Sequence, residues 1–161
     1  MKWNHARGRW GLVLLAALLM FIDRLSKLWA LSSLAGAQPK TGIPGIFRFV
    51  FTCNEGAAFS MLAGSPFVVS VLSGLILLLL GAVILCGRTL DHMTRLCLTA
   101  IWAGGVGNLI DRVIYGAVVD FIDLTFISFP IFNVADICVT VGALIFAARL
   151  FIPEKKGDAQ K

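Results

Sequence analysis

Four long apolar runs divide the chain. The first extends from Gly11 to about Leu31 and is uninterrupted until Asp23. The second, Phe67 to Gly87, contains no charge. The third, about Thr94 to Val113, is apolar through Ile110 and ends on Asp111-Arg112. The fourth, about Val134 to Ile152, begins beside Asp136 and then stays uncharged until Arg149. A bilayer core about 30 Å thick takes roughly 20 helical residues at about 1.5 Å each. Each run has that length, and none shows the stripe of a soluble amphipathic helix. The pattern predicts membrane-spanning helices over 11–31, 67–87, 94–113 and 134–152. They are joined on one side by loops 32–66 and 114–133.

Those loops carry a pattern of their own. Residues Ile46 to Thr52 read Ile-Phe-Arg-Phe-Val-Phe-Thr after Gly42, Pro44 and Gly45. Such a run predicts short strands at the membrane surface, with Phe47, Phe49 and Phe51 on one face. An interfacial aromatic belt is the plainer reading and is compatible with it. Val118 to Asp123 reads as an apolar loop returning toward the membrane. Phe126 to Phe132 is a second short apolar segment, broken by Pro130. No repeat or low-complexity tract is evident.

Composition agrees. Of 161 residues, 58% are apolar and 14% charged, and the mean hydropathy is +0.89. Soluble domains run near 25% charged. The net charge of +5 does not form a nucleic-acid face, because the cations sit at the ends of apolar runs. Lys2, Arg7, Arg9, Arg88, Arg95, Arg149, Lys155, Lys156 and Lys161 fall on one side; Lys40, Arg48 and Arg112 fall on the other. By the positive-inside rule both termini are cytoplasmic. Lys2, Arg7 and Arg9 before an apolar run, with Ala35-Gly36-Ala37 beyond it, suggest a cleavable signal peptide. Asp23, Arg24 and Lys27 interrupt the stretch, so a retained first span is expected. Cys53, Cys86, Cys97 and Cys138 have neither disulfide nor zinc spacing. His5 and His92 have no companion ligands, so no metal is expected.

Ionisable residues within spans are functional candidates, since a charge at the bilayer centre costs at least about 2.5–3.5 kcal/mol. They gather toward one leaflet: Asp23 and Lys27 late in the first span, Asn108, Asp111 and Arg112 late in the third, and Asp136 at the start of the fourth. Asp23 and Lys27 are four apart and share a helix face. An ion pair that orients the helix end is the ordinary reading there. Asn108, Asp111 and Arg112 also share a face, where a scaffold role is favoured. Arg24 points about 100° away from Asp23, as an interface anchor would. Gly104, Gly105 and Gly107 predict close helix packing. Asp120, Asp123 and Asp136 remain. If Asp120 and Asp136 meet, one carboxyl keeps a proton and a shared water can be activated. Alternatively, Asp136 caps the fourth span and Asp120 is a solvated loop acid. Spacing alone leaves both open.

The motifs taken together change this. Asp23-Arg24-Leu25-Ser26-Lys27, Asn54-Glu55-Gly56-Ala57-Ala58-Phe59-Ser60, Gly104-Gly105-Val106-Gly107-Asn108-Leu109-Ile110-Asp111-Arg112, Val118-Val119-Asp120-Phe121 and Phe132-Asn133-Val134-Ala135-Asp136 stand in one order. In that order and spacing the chain resembles the bacterial lipoprotein signal peptidase family (signal peptidase II) from about residue 12 to 150. No motif polar position departs from the pattern, although the Phe126–Pro130 connection looks short. The resemblance implies a single integral-membrane peptidase domain over 1–161. Its fold class would be membrane all-α, with four transmembrane helices, a small extracytoplasmic β-cradle and a periplasmic loop. It implies a catalytic pair, Asp120 and Asp136, with support from Asp23, Lys27, Asn54, Gly56, Asn108, Asp111, Arg112 and Asn133.

The implied reaction is aspartyl endopeptidase cleavage of a prolipoprotein just before its diacylglyceryl-modified cysteine. It takes place in the bacterial inner membrane, near the periplasmic face. The expected partners are that substrate and membrane lipid, with no nucleic acid and no cofactor, and the protein is expected to be monomeric. A small ion- or proton-coupled transporter is the alternative, and a non-enzymatic scaffold a third reading. A transporter would place its acids at the midplane and not near one surface.

Overall fold

The computed structural model describes residues 5–55, 66–87 and 89–151. Four helices, α1 (His5–Ser33), α2 (Pro66–Cys86), α3 (His92–Tyr115) and α4 (Val134–Leu150), alternate with three strands, β1 (Lys40–Ile43), β2 (Phe47–Asn54) and β3 (Val118–Leu124). Helix α1 begins six residues before the apolar run does, because its amino-terminal turns are polar. Among the described residues one stretch, Phe67–Cys86, is by itself apolar and long enough to cross a membrane, with a mean hydropathy of 2.9. The other helices carry Asp23, Arg24 and Lys27, or Asn108, Asp111 and Arg112, or are shorter, α4 having 17 residues.

Helix α3 is central, and its glycines are the reason. A methyl at Gly104 would overlap the Ala135 carbonyl of α4, and one at Gly105 would stand 2.6 Å from Leu77 Cδ2 of α2. At Gly107 it would meet an Asp23 carboxylate oxygen of α1 at 2.5 Å. Three glycines within four positions thus face three helices. The close packing read from the sequence is present, and it brings Asn108 and Asp111 against α1 and α4.

The ends of the helices are capped by their own sequence. Asp91 accepts from the backbone N–H groups of Met93 and Thr94 at the start of α3. Gly116, with φ 74°, closes α3 in a left-handed turn that other residues adopt only with strain. That turn feeds directly into β3.

Residues 118–124 are therefore a strand, not the loop expected from the sequence. β3 pairs antiparallel with β2, Arg48 opposite Asp123 and Thr52 opposite Asp120, to complete a sheet of order β1-β2-β3. Phe132 adds an isolated bridge to Ile122. The first residues of β3 are buried, so the strand lacks the alternation that reveals a half-exposed one. Val119 and Phe121 join Ala30 and Leu34 of α1's end in a small core that Phe49 and Phe51 also pack against. Trp29 meets Phe49 and Phe121 edge-on, at 5.1 and 6.1 Å between ring centroids. This core fixes the sheet, and with it Asp120, on the helix bundle.

Candidate active site

The capping of α4 places Asp136. Asn133 is the N-cap: its Oδ1 accepts the Asp136 N–H at 2.9 Å, and its own N–H donates to Asp136 Oδ2 at 3.2 Å. This reciprocal box holds Asp136 in the first turn, where the positive end of the helix favours an acid. The capping role that the sequence set against catalysis is thus real. It uses only one carboxylate oxygen. Oδ1 of Asp136 accepts instead from Asn108 Nδ2 of α3 at 2.7 Å.

Asp120 approaches from β3 and is buried. Its Oδ1 accepts from Asn133 Nδ2 at 2.6 Å, and its Oδ2 from Asn54 Nδ2 of β2 at 2.9 Å. Asn133 therefore links the two acids, and the solvated-loop reading of Asp120 is wrong. Burial is the largest influence on its carboxyl, and the nearby charge of Asp136 acts in the same direction. The amides of Asn54 and Asn133 and the charge of Lys27 oppose them, and the result is a pKa pushed up to about 6.

Beneath the pair lies a buried ionic layer. Lys27 Nζ stands 2.9 Å from Asp23 Oδ2, 2.9 Å from Asp111 Oδ2 and 2.9 Å from Asn108 Oδ1. The i,i+4 pair of Asp23 and Lys27 is formed as expected. The other oxygen of Asp23 accepts the Ala135 N–H at 2.9 Å, which ties α1 to the first turn of α4. Asp111 Oδ2 accepts the Val119 N–H at 3.2 Å, one residue before Asp120. Asn108 connects the layers, since its Oδ1 takes Lys27 and Asn133 Nδ2 while its amide serves Asp136. Arg112 lies within electrostatic reach of Asp136, Asp120 and Asp111.

Of the residues singled out from the sequence, Asp23, Lys27, Asn54, Asn108, Asp111, Asn133, Asp120 and Asp136 meet in one network, with Arg112 at its edge. Gly56 lies outside the described residues. Asp123 does not take part; it pairs with Arg48 at 2.7 Å on the outside of the sheet. Arg24, read as an interface anchor, belongs to the ionic layer: its Nη1 donates to Asp111 Oδ1 at 2.9 Å. Its spacing gave no hint, because the partner is 87 residues away.

A cleft of about 370 Å³ opens onto Asp120. Asn54 and Glu55 form one wall and Pro130-Ile131 another. Among the described residues no cluster of three or more His, Cys, Asp or Glu side chains could hold a metal ion. What the site offers is a pair of held carboxyls, one of them with its pKa raised toward neutrality, beside an open cleft.

The sequence and the fold both have known relatives. The pattern of the family described as Signal peptidase (SPase) II matches residues 15–152. A lipoprotein signal peptidase of Clostridium acetobutylicum is 34% identical over 151 residues, covering 92% of this chain and 98% of that one. One of Nostoc punctiforme is 38% identical over 136 residues, covering 84% and 86%. Two solved structures, both described as a bacterial membrane enzyme obtained by the in meso method, superpose with TM-scores of 0.80 and 0.81. Each is 28% identical; the first covers 88% of this chain and 92% of its own, the second 94% of each.

Proposed function

The chain belongs to the signal peptidase II family, and from that premise we propose that it hydrolyses peptide bonds with Asp120 and Asp136 as an aspartic pair. The protein is a protease that removes signal peptides from prolipoproteins, and neither its fold nor its relatives favour a transporter. The finer reading is an endopeptidase that cuts just before a diacylglyceryl-modified cysteine. The observation that carries the aspartic assignment is the bridge through Asn133, which holds the two carboxyls in one network.

In the reading that follows, Asp120 bears the shared proton and Asp136 is the base. Asp136 takes a proton from water while the water oxygen attacks the scissile carbonyl carbon, and Asp120 gives its proton to the carbonyl oxygen. A gem-diol results. Asp136 then passes its proton to the leaving nitrogen as the C–N bond breaks, and the second hydroxyl returns a proton to Asp120. Asn54 and Asn133 hold Asp120 and Asn108 holds Asp136, so neither carboxyl need reorganise during the reaction. Arg112, within electrostatic reach of both acids, can offset the negative charge as it passes from Asp136 to Asp120.

The same reading takes all four helices as spans, both termini as cytoplasmic, and the site as lying near the periplasmic face of the inner membrane. The protein then works as a monomer. The diacylglyceryl chains stay in the bilayer while the signal helix lies along the bundle. Nine cations against three at the two sets of ends support the orientation. The buried ionic layer is neutral, with Asp23 and Asp111 balanced by Lys27 and Arg24, and so can sit at membrane depth.

The test uses purified protein with a diacylated lipobox peptide and its unlipidated twin. The diacylated peptide should be cut before the cysteine and the twin left intact. Asp120→Asn and Asp136→Asn should insert normally and leave the peptide uncut. Appreciable cleavage by either variant would remove the aspartic assignment.

A further inference from the structure

We propose that Arg24 is a positioning residue for this reaction: by holding Asp111, it fixes both the strand that carries Asp120 and the amide that holds Asp136. The inference rests on the reading of the two aspartates given above.

The argument is one of hydrogen-bond capacity. Asp111 is 0% exposed, so each of its oxygens needs a partner. Oδ2 has two, Lys27 and the Val119 N–H. Oδ1 has Arg24 as its partner among the described residues. Lys27 cannot take over, because an ammonium has three N–H donors and all three are committed, to Asp23, Asp111 and Asn108. Without Arg24 a buried carboxylate oxygen is left bare. Asp111 can relieve it only by turning, which pulls on Lys27 or on Val119. Lys27 leads through Asn108 to Asp136; Val119 is the residue before Asp120.

The other arm of Arg24 explains why an arginine stands there. Nη2 donates to the Tyr115 hydroxyl at 2.8 Å, and the guanidinium carbon lies 5.5 Å from the centre of the Tyr115 ring. Tyr115 closes α3 immediately before the Gly116 turn into β3. One planar fork thus spans the last turn of α3, gripping Asp111 inside and Tyr115 outside. Its side chain is 31% exposed, so it forms the outward end of a chain of contacts whose inward end is the catalytic pair. Arg24 also completes the neutrality of the ionic layer. Asp120 is faced by Asn54 from β2, Lys27 from α1, Arg112 from α3, and Asn133 and Asp136 at the start of α4. Loss of the Arg24 charge leaves this surrounding more negative, which favours the protonated pair.

The experiment compares Arg24→Gln, Arg24→Lys and Tyr115→Phe with wild type on the diacylated lipobox peptide, measuring kcat, KM and pH profile. For Arg24→Gln, kcat should fall about tenfold with KM nearly unchanged, and the acid limb should move to higher pH. Arg24→Lys should recover most of kcat and the wild-type profile. Tyr115→Phe, which removes only the outer oxygen, should lose about two- to threefold in kcat with no shift in pH. Folded Arg24→Gln with wild-type kcat would overturn the proposal, as would a loss whose pH profile is unmoved. If Arg24→Gln does not fold, wild-type turnover by Tyr115→Phe together with no recovery in Arg24→Lys would overturn it equally. Failure of the wild-type protein to cut the peptide would strike the aspartic reading instead, and so is distinguishable.

Discussion

The side-chain amide of Asn133 donates to Oδ1 of Asp120 at 2.6 Å, so the acid on the sheet is held by the residue that caps the helix of the other acid. Two jobs meet in one side chain, the carbonyl capping α4 and the amide bridging to β3. Substitution can separate them. Asn133→Ser keeps an N-cap oxygen and loses the bridge, whereas Asn133→Ala loses both. Both variants should turn over at least about tenfold more slowly. Asn133→Ala should be less stable than Asn133→Ser by about 1 kcal/mol. Thermal melts beside peptide cleavage check this; equal stability of the two variants would show that the cap is unimportant.

The carboxyl of Asp120 should titrate near 6, an apparent value that belongs to the pair. Burial and the Asp136 charge raise it, so Asp136→Asn should move the midpoint down. Asn54 donates to it, so Asn54→Ala should move the midpoint up. The sign for stability follows. An acid whose folded pKa lies above its unfolded value near 3.9 binds more protons when folded, so its contribution to stability declines as pH rises between the two. Carboxyl infrared bands of labelled aspartate, followed against pH in wild type and both variants, measure the midpoints. A wild-type midpoint near 4 would show that the site does not hold a proton.

What the sequence revealed and concealed has physical causes. The four helices were legible because each lies on a long apolar run, which any window of the sequence displays. Asp136 was legible in a capping role because capping is local, although the N-cap itself is Asn133. β3 was not, because its partner strand lies some 70 positions earlier and its buried residues give no alternation. Arg24 was misread because it was set against Asp23, from which it points about 100° away; three residues from Lys27 it shares that residue's face, and both cations reach the same Asp111. What a projection of α1 alone cannot show is the shared acid, which lies on α3.

The glycines of α3 should tolerate no methyl. Gly107→Ala places Cβ against Asp23 Oδ2 and 3.4 Å from Ala135 Cβ, so the carboxylate that holds Lys27 through Oδ2 and the Ala135 N–H through Oδ1 must shift. Overpacking of this kind costs about 1–3 kcal/mol. Here it should also slow cleavage, since the displaced turn carries Asp136. Gly116→Ala meets open space but must keep φ at 74°, and strain of about 1–2 kcal/mol should appear in the melt. A Gly107→Ala protein with wild-type melting and turnover would contradict the packing.

Asp91, at the far end of α3, provides a control remote from the chemistry. It caps the helix, and Arg149 of α4 reaches it at 3.0 Å. Its hydrogen bond from the Thr94 hydroxyl, above the other influences, holds its carboxyl below the usual range. That stabilisation is present above the unfolded pKa near 3.9 and is lost as pH falls through the lower folded value. Asp91→Ala should cost about 0.5–2 kcal/mol at neutral pH, and the difference from wild type should shrink in acid. Cleavage by the folded variant should match wild type. Arg149→Ala should cost less, as exposed pairs contribute about 0–1 kcal/mol.

The sidedness of the site can be read from cysteines already present. Cys53 is exposed on β2, opposite Val119 and beside the strand position that faces Asp120. Cys86 is exposed at the last residue of α2. Helix α2 has 21 residues, about 30 Å at 1.5 Å each, or one bilayer core. If α2 crosses with its carboxyl end inside, the two thiols lie in different compartments. With Cys97 and Cys138 replaced by alanine, a membrane-impermeant maleimide added to spheroplasts should label Cys53 at once. It should label Cys86 only after the membrane is opened. The reverse pattern would put Asp120 and Asp136 on the cytoplasmic side, where a signal peptide of an exported lipoprotein has no cleavage site to offer, and the proposed orientation would fall.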